Sequence, residues 1–258
     1  MRVVDTYYRL LAATLASLVL ADLHNDLWGF QAGRIFPYRH IPIFPLYGRP
    51  GLVVEWTAFL TSAIGLWFGI RRRAALWLGA AAMFASLTQH FSNHGTLTLM
   101  VLVFTAVRPP LDDADLVGPN MLLARWQLAI VYVFTGLNKV IADYMGGQSM
   151  ANLYLALRDP LVPREWFAIA FRHPGVVALS AGVVLFELLI PVILSRWPRV
   201  GVALVVAFHG GITLLMPGIL PFGLIMLTMS VLYLVPLRAA PAVGADLPPR
   251  PMRVRGSS

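Results

Sequence analysis

The chain contains no cysteine, which excludes disulfides, thiolate metal sites and a cysteine nucleophile. It is also poor in charge. Only 12% of its 258 residues are charged while 58% are hydrophobic, and the mean hydropathy of +0.72 is that of no soluble domain of this length. Lysine is almost missing: Lys139 stands alone, and every other basic residue is arginine. No internal repeat is present, and only Pro217 and Pro221 hint at a broken helix. A transporter built from inverted repeats therefore finds little support. Nor is there a basic helix interleaved with aromatics. The net charge of +8 and pI near 10.4 accordingly point to anionic lipid headgroups as partners, with no nucleic acid.

What is present is a series of apolar stretches of about 20 residues, the length a helix needs to cross a bilayer. They predict an all-α polytopic transmembrane bundle of about eight spans, near residues 6–22, 52–70, 74–92, 95–109, 121–141, 175–195, 198–215 and 217–236. Eight spans place Arg71, Arg72, Arg73, Arg196, Arg199 and the arginines after the last helix on one side, with Arg2 and Arg9. The positive-inside rule makes that side cytoplasmic, with both termini inside. Asp5 in the first segment, and no small-x-small site before Asp22, favour an uncleaved first helix. Two segments, 23–50 and 142–174, mix aromatics, arginine, glycine and proline. They are expected outside, at headgroup level, where they can roof a cavity or serve as interfacial anchors. The domain plan is a membrane domain over 1–238 and a disordered basic, Pro-rich tail over 239–258.

Polar residues within the spans carry the functional reading. A charged amine in a bilayer costs about 2.5–3.5 kcal/mol on insertion scales, which makes Lys139 a functional candidate. Burial also disfavours its charged form, and a neutral amine is a base. Snorkelling to an interface is the plainer alternative. Heptad spacing sets Arg125, Tyr132 and Lys139 on one stripe, expected to face the bundle interior. Gly136, one turn before Lys139, admits close approach of a helix or a ligand. His90, Asn93 and His94 fall at i, i+3 and i+4 and share a face. With no carboxylate or His-Glu-x-x-His pattern beside them, no metal is assigned. His209 lies deep in the seventh apolar stretch and Glu187 in the middle of the sixth. A glutamate at that depth is paired or protonated, either bridging helices or belonging to a site. One cavity toward the outer half can collect Lys139, His94, Asn93 and His209.

The stretch RWQLAIVYVFTGLNKVIADYMGGQSM, Arg125 to Met150, resembles the core motif of the vitamin K-dependent γ-glutamyl carboxylases and their bacterial relatives that share the HTTM membrane domain. The family pattern runs Arg-x-Gln, Tyr, Gly-x-x-Lys, Ala-Asp-aromatic and Gly-x-Ser-Met. It matches Arg125 and Gln127, Tyr132, Gly136 and Lys139, Ala142 to Tyr144, and Gly147 to Met150. The family's Asn-His pair resembles Asn93-His94, and its late-helix histidine resembles His209. Gly65, Gly69 and Arg71 match its Gly-x-x-x-Gly followed by arginine. The resemblance covers roughly the first 235 residues with order and spacing kept. Two departures stand out. Asn138 replaces a second basic residue before the lysine, and the family's long lumenal part, which binds propeptide and glutamate-rich substrate, has no counterpart in the sequence.

The resemblance implies a carboxylase-like membrane enzyme, a lyase and quinol epoxidase. Lys139 would be the catalytic base that deprotonates a reduced quinone, vitamin K hydroquinone or a menaquinol-like molecule. Oxygen then adds, the resulting alkoxide removes a proton from a glutamate side chain, and carbon dioxide traps the carbanion while the quinol ends as an epoxide. Asn93 and His94 would contact the quinol oxygens, with His94 activating the ring; His209, Tyr132 and Gly136 would line the cofactor pocket. The acceptor would be a peptide or protein, presented by 23–50 and 142–174 or by a partner that supplies a substrate domain. The quinol half of this chemistry carries over better than the substrate half. The competing reading is a non-catalytic membrane partner that binds quinone or lipid.

Overall fold

A computed structural model describes residues 2–32, 49–89, 93–156, 161, 163–168, 170–216 and 219–237. The tail over 239–258, His90 and most of the first interhelical segment lie outside the described residues. Among the described residues every regular element is helical. The elements are α1 (Val3–Ala32), α2 (Arg49–Phe68), α3 (Arg72–Gln89), α4 (Asn93–Val107), α5 (Pro119–Asn138), α6 (Ala142–Met145), α7 (Gln148–Ala156), α8 (Gly175–Arg196), α9 (Pro198–Leu215) and α10 (Leu220–Ser230). A 3-10 turn over Val231–Leu234 prolongs α10.

Each of the eight apolar stretches is thus helical, though not every one reaches membrane length. Among the described residues five stretches are long and apolar enough to cross a membrane: Val3–Ala21, Pro50–Phe68, Pro119–Asn138, Gly175–Arg196 and Pro198–Leu215. Gly95–Val107 and Leu220–Leu234 are apolar but shorter. The first helix also outruns its expected end at residue 22 and reaches Ala32. Its polar continuation, HNDLWGFQA, contains no proline, and loss of hydrophobicity does not by itself stop a helix.

The chain closes on itself. Each long helix packs on the next, α1 on α2, α2 on α3, α3 on α4, α4 on α5, α5 on α8, α8 on α9 and α9 on α10, and α10 returns to α1. The helices alternate in direction. At one end, Asp5 at the start of α1 meets Arg72 at the start of α3 at 3.3 Å, and the Val4 amide donates to Asp113, between α4 and α5, at 2.7 Å. Tyr233, just past α10, donates to the carbonyl of Arg125 near the start of α5 at 2.8 Å. At the opposite end, the Leu161 amide donates to Leu214 at the close of α9.

The interior and the exterior are both apolar, as a lipid-embedded bundle requires. Tyr7, Leu11 and Leu15 of α1 and Ile225, Met226 and Met229 of α10 are buried at the centre. Val54 and Phe68 of α2, Trp126, Ile130 and Phe134 of α5, and Val192 of α8 point outward and stay exposed. Several buried hydroxyls within the helices are paired internally, while Oγ of Ser180 on α8 is buried with no partner among the described residues. Tyr7 meets Thr105 at 2.6 Å, and Ser62 donates to the Ala75 carbonyl at 2.6 Å. An unpaired polar group in hydrocarbon would cost several kcal/mol. The turn between α8 and α9 is tight: a Cβ on Gly201 would lie 2.8 Å from the Cα of Leu194.

Candidate intramembrane polar site

The stripe on α5 faces inward, and each of its three polar residues reaches a different helix or segment. Arg125 is buried and donates to the carbonyl of Val235 at 2.8 Å, with its guanidinium 5.5 Å from the Tyr233 ring centroid. Tyr132 is buried, and its hydroxyl lies 2.8 Å from Nε2 of His209 on α9. Lys139, one residue past the helix, places its Nζ 2.6 Å from both carboxylate oxygens of Glu187 on α8. Residues seven apart on a helix are separated by about 10 Å along its axis. The interior of the bundle therefore carries three polar stations, of which the Lys139–Glu187 and Tyr132–His209 pairs lie toward the α5 C-terminus.

The local sequence explains the placement. Gly136 gives α5 a bare face between Tyr132 and Lys139, and the element that fills it is α8. A Cβ there would lie 2.9 Å from Cδ2 of Leu188 and 3.3 Å from Cβ of Glu187. Close approach at Gly136 brings Glu187 within reach of an amine one turn further on. Phe186, next to Glu187, presents its edge to the Tyr132 ring at 6.0 Å and stacks on Phe208 of α9 at 4.1 Å. Phe222 of α10 closes on the His209 ring at 5.4 Å. The histidine thus sits in an aromatic enclosure built by three helices.

Two features of this site decide its chemistry. First, the amine is not alone. The Lys139 side chain is 28% exposed and that of Glu187 is 9% exposed, and the pair has no net charge whether its proton sits on nitrogen or oxygen. Pairing offsets much of the desolvation that would otherwise expel a single ion. Second, Nδ1 of His209 is buried and has no hydrogen-bond partner among the described residues. A buried polar atom left unpaired costs about 1–3 kcal/mol and calls for an explanation. The Tyr144 ring on α6 lies 5.9 Å from the Lys139 nitrogen. Burial, aided by the negative charge of Glu187, pushes its hydroxyl up to about 12.

The sequence reading surrounded the amine with imidazoles, whereas the described neighbour is a carboxylate. Glu187 was a candidate bridge between helices, and its pairing with Lys139 was not foreseen. A midspan carboxylate and a lone lysine in neighbouring helices are the signal that could have matched them. His209 pairs with Tyr132 and makes no hydrogen bond to Lys139. Asn93 and His94 open α4 at the same end of the bundle as Lys139, but their side chains lie outside the described residues. Among the described residues no group of three or more metal-ligating side chains occurs.

Replacing Tyr132 by phenylalanine keeps the ring packing and strips the remaining partner from His209. A loss of about 1–3 kcal/mol is expected. Reversible unfolding in mixed detergent–SDS micelles measures it, and a change within a few tenths of a kcal/mol would mean that the imidazole finds another partner.

Fold and site define a helical membrane protein whose interior holds paired ionisable groups along one helix. No family model, curated protein or solved structure matches the chain.

Proposed function

We propose that this protein is a multi-pass membrane enzyme that uses Lys139 and Glu187 as an acid–base pair on a reduced quinone, coupling oxygenation of the quinol to proton abstraction from, and carboxylation of, an acceptor. In this reading the eight apolar stretches all cross the bilayer, both termini face the cytoplasm, and the site opens toward the outer half. The observation that carries it is the alignment of Lys139–Glu187 and Tyr132–His209 on the inner face of α5. Ionisable groups inside a membrane domain mark function by default, because hydrocarbon makes them expensive.

The residues suit a flat, two-ended phenol. The buried, unpartnered Nδ1 of His209 can take one hydroxyl, and the rings of Phe186, Phe208 and Phe222 supply apolar contact. A bound quinol supplies the oxidisable ring and, with oxygen, the strong base that the acceptor proton demands. The protein's part is narrower. Lys139 passes a proton to Glu187, presents a free amine, and collects the hydroxyl proton; the pair then carries one positive charge, which balances the quinolate. Asn93 and His94 would hold the opposite oxygen. A site closed to water prevents loss of the strong base to solvent.

Purified protein in lipid nanodiscs, given vitamin K hydroquinone or reduced menaquinone, oxygen and labelled bicarbonate, tests this directly. Epoxide formation is expected, and Lys139→Ala should lower it about 10²–10⁴-fold, the usual worth of a positioned general base. Undiminished epoxide in that variant would remove Lys139 from the mechanism.

A second reading is favoured by the symmetric closure of the Glu187 carboxylate on the amine at 2.6 Å to each oxygen. A pair so fully satisfied also suits a clamp between α5 and α8 in a non-catalytic quinone- or lipid-binding partner. Stoichiometric quinol binding with no turnover, native membranes included, would favour it.

A further inference from the structure

The end of the bundle opposite Lys139 carries a second feature, which the acid–base site does not use. Three arginines stand in succession where α2 passes to α3: Arg71 ends the short turn, and Arg72 and Arg73 open α3. Arg71 holds a left-handed backbone, φ 44°, and follows Gly69, φ 72°. Such a conformation is uncommon for a residue with a side chain. The turn is tightened by a hydrogen bond from the Ile70 amide to the Gly65 carbonyl at 2.7 Å. The outcome is three successive guanidinium groups at the α2–α3 turn and the start of α3.

Their environments differ. Arg72 is committed to the protein: it reaches Asp5 at 3.3 Å and lies 4.3 Å over the Tyr8 ring. Its Nε is nonetheless buried and without a hydrogen-bond partner among the described residues. Arg71 and Arg73 are exposed, and neither forms a salt bridge among the described residues. The three arginines line an open depression of about 950 Å³ together with Trp77, Pro109 and Leu111. Trp77 and Leu111 are exposed apolar side chains at its wall. A second tryptophan, Trp67, stands nearby on α2 beneath the guanidinium of Arg9 at 5.7 Å.

We propose that this depression is a binding site for the phosphodiester headgroup of an anionic membrane lipid. The guanidiniums of Arg71 and Arg73 grip the phosphate, Arg72 adds positive charge beside it, and Trp77 and Leu111 take the first part of the acyl chain. The chemistry of the lining selects the ligand. Planar guanidiniums present paired donors that match phosphate oxygens. Tryptophan beside an exposed leucine is the composition of the headgroup boundary, and basic pockets at helix ends are where anionic lipids are held. A free phosphate would satisfy the arginines and leave the apolar wall without a purpose. The inference needs the chain to lie in a membrane and is independent of any chemistry at Lys139.

The test uses the full chain, purified in a neutral detergent and stripped of lipid. Micelles doped with phosphatidylglycerol or with phosphatidylcholine of the same acyl chains are titrated in, and bound lipid is counted by native mass spectrometry. Inorganic phosphate forms a separate arm. One phosphatidylglycerol is expected to bind saturably and phosphatidylcholine far more weakly. Arg71→Asn/Arg73→Gln, in which asparagine tolerates the left-handed backbone, should weaken phosphatidylglycerol binding about thirtyfold, the effect of two surface arginines on an anionic lipid. Arg196→Gln/Arg199→Gln removes the same charge elsewhere and should change it less than threefold. Epoxide-forming activity is not read, so failure here and failure of the quinol reading are distinguishable. Equal weakening in both double variants would mean diffuse charge attraction and overturn the site. So would no weakening in either, and inorganic phosphate that displaces the lipid stoichiometrically at equal affinity would assign the arginines to a soluble anion.

Discussion

Lys139→Ala should destabilise the bundle by about 3–5 kcal/mol, the usual cost of stranding one member of a buried ion pair. The residue left behind is Glu187, the more deeply buried of the two at 9% side-chain exposure. In the variant that carboxylate keeps its place between α5 and α8 with no cation to meet it. Lys139→Ala/Glu187→Ala should recover most of the loss, because removing both partners leaves no ion to solvate. The two single variants and the double, unfolded reversibly in mixed detergent–SDS micelles, give the coupling directly. Additive effects would mean that the 2.6 Å contacts contribute nothing to holding α8 against α5. The cycle also separates stability from chemistry. A catalytic amine loses turnover in every variant that lacks it, including the double variant whose fold has recovered.

Gly201→Val is the other large effect. The position sits in the first turn of α9, directly after the α8–α9 corner, with Leu194 Cα at 2.8 Å and Leu194 Cδ2 at 2.8 Å from the site of any added Cβ. The first is backbone and cannot rotate away, so α8 and α9 must separate. Overpacking of this kind costs about 1–3 kcal/mol, and a backbone shift puts Gly201→Val at or above the top of that range. Separation of α8 from α9 would also move His209 relative to Phe186. Gly136→Ala is the internal comparison: its nearest obstacle is the Leu188 side chain, with Cδ2 at 2.9 Å and Cγ at 3.0 Å, which has rotamers available. The unfolding experiment should rank Gly201→Val well below Gly136→Ala in stability. The reverse order would show that the corner yields more easily than the α5–α8 seam.

The helices and their order were readable from hydrophobic length, because hydrocarbon demands about 20 apolar residues wherever a helix crosses it. Their number as membrane-length spans was not. α3 carries Arg72 and Arg73 with several alanines, which lowers its hydropathy, and α4 is apolar but only 15 residues long. The inward stripe Arg125, Tyr132 and Lys139 followed from a period of seven, and the structure places all three toward partners. The partners themselves were invisible. Heptad spacing says which side chains share a face and nothing about which helix packs there, so Glu187 could be noted as costly without being matched to Lys139. The unpartnered Nδ1 of His209 was likewise beyond reach, since a sequence shows that a histidine is present and not which of its atoms is satisfied.

Translation sets an order on the α5 contacts. When α5 leaves the ribosome its three polar side chains have no partners. Glu187 arrives 48 residues after Lys139, His209 comes 77 after Tyr132, and Val235 follows Arg125 by 110. The partners therefore appear in the sequence α8, α9, α10 and engage α5 from its C-terminus backward, like a zip drawn toward the amino end. The helix cannot be released into bulk lipid with all its obligations met until nearly every later helix has been made. Nascent chains truncated after α9 should accordingly retain Arg125 as the last unsettled charge, held near the insertion machinery until the final segment emerges.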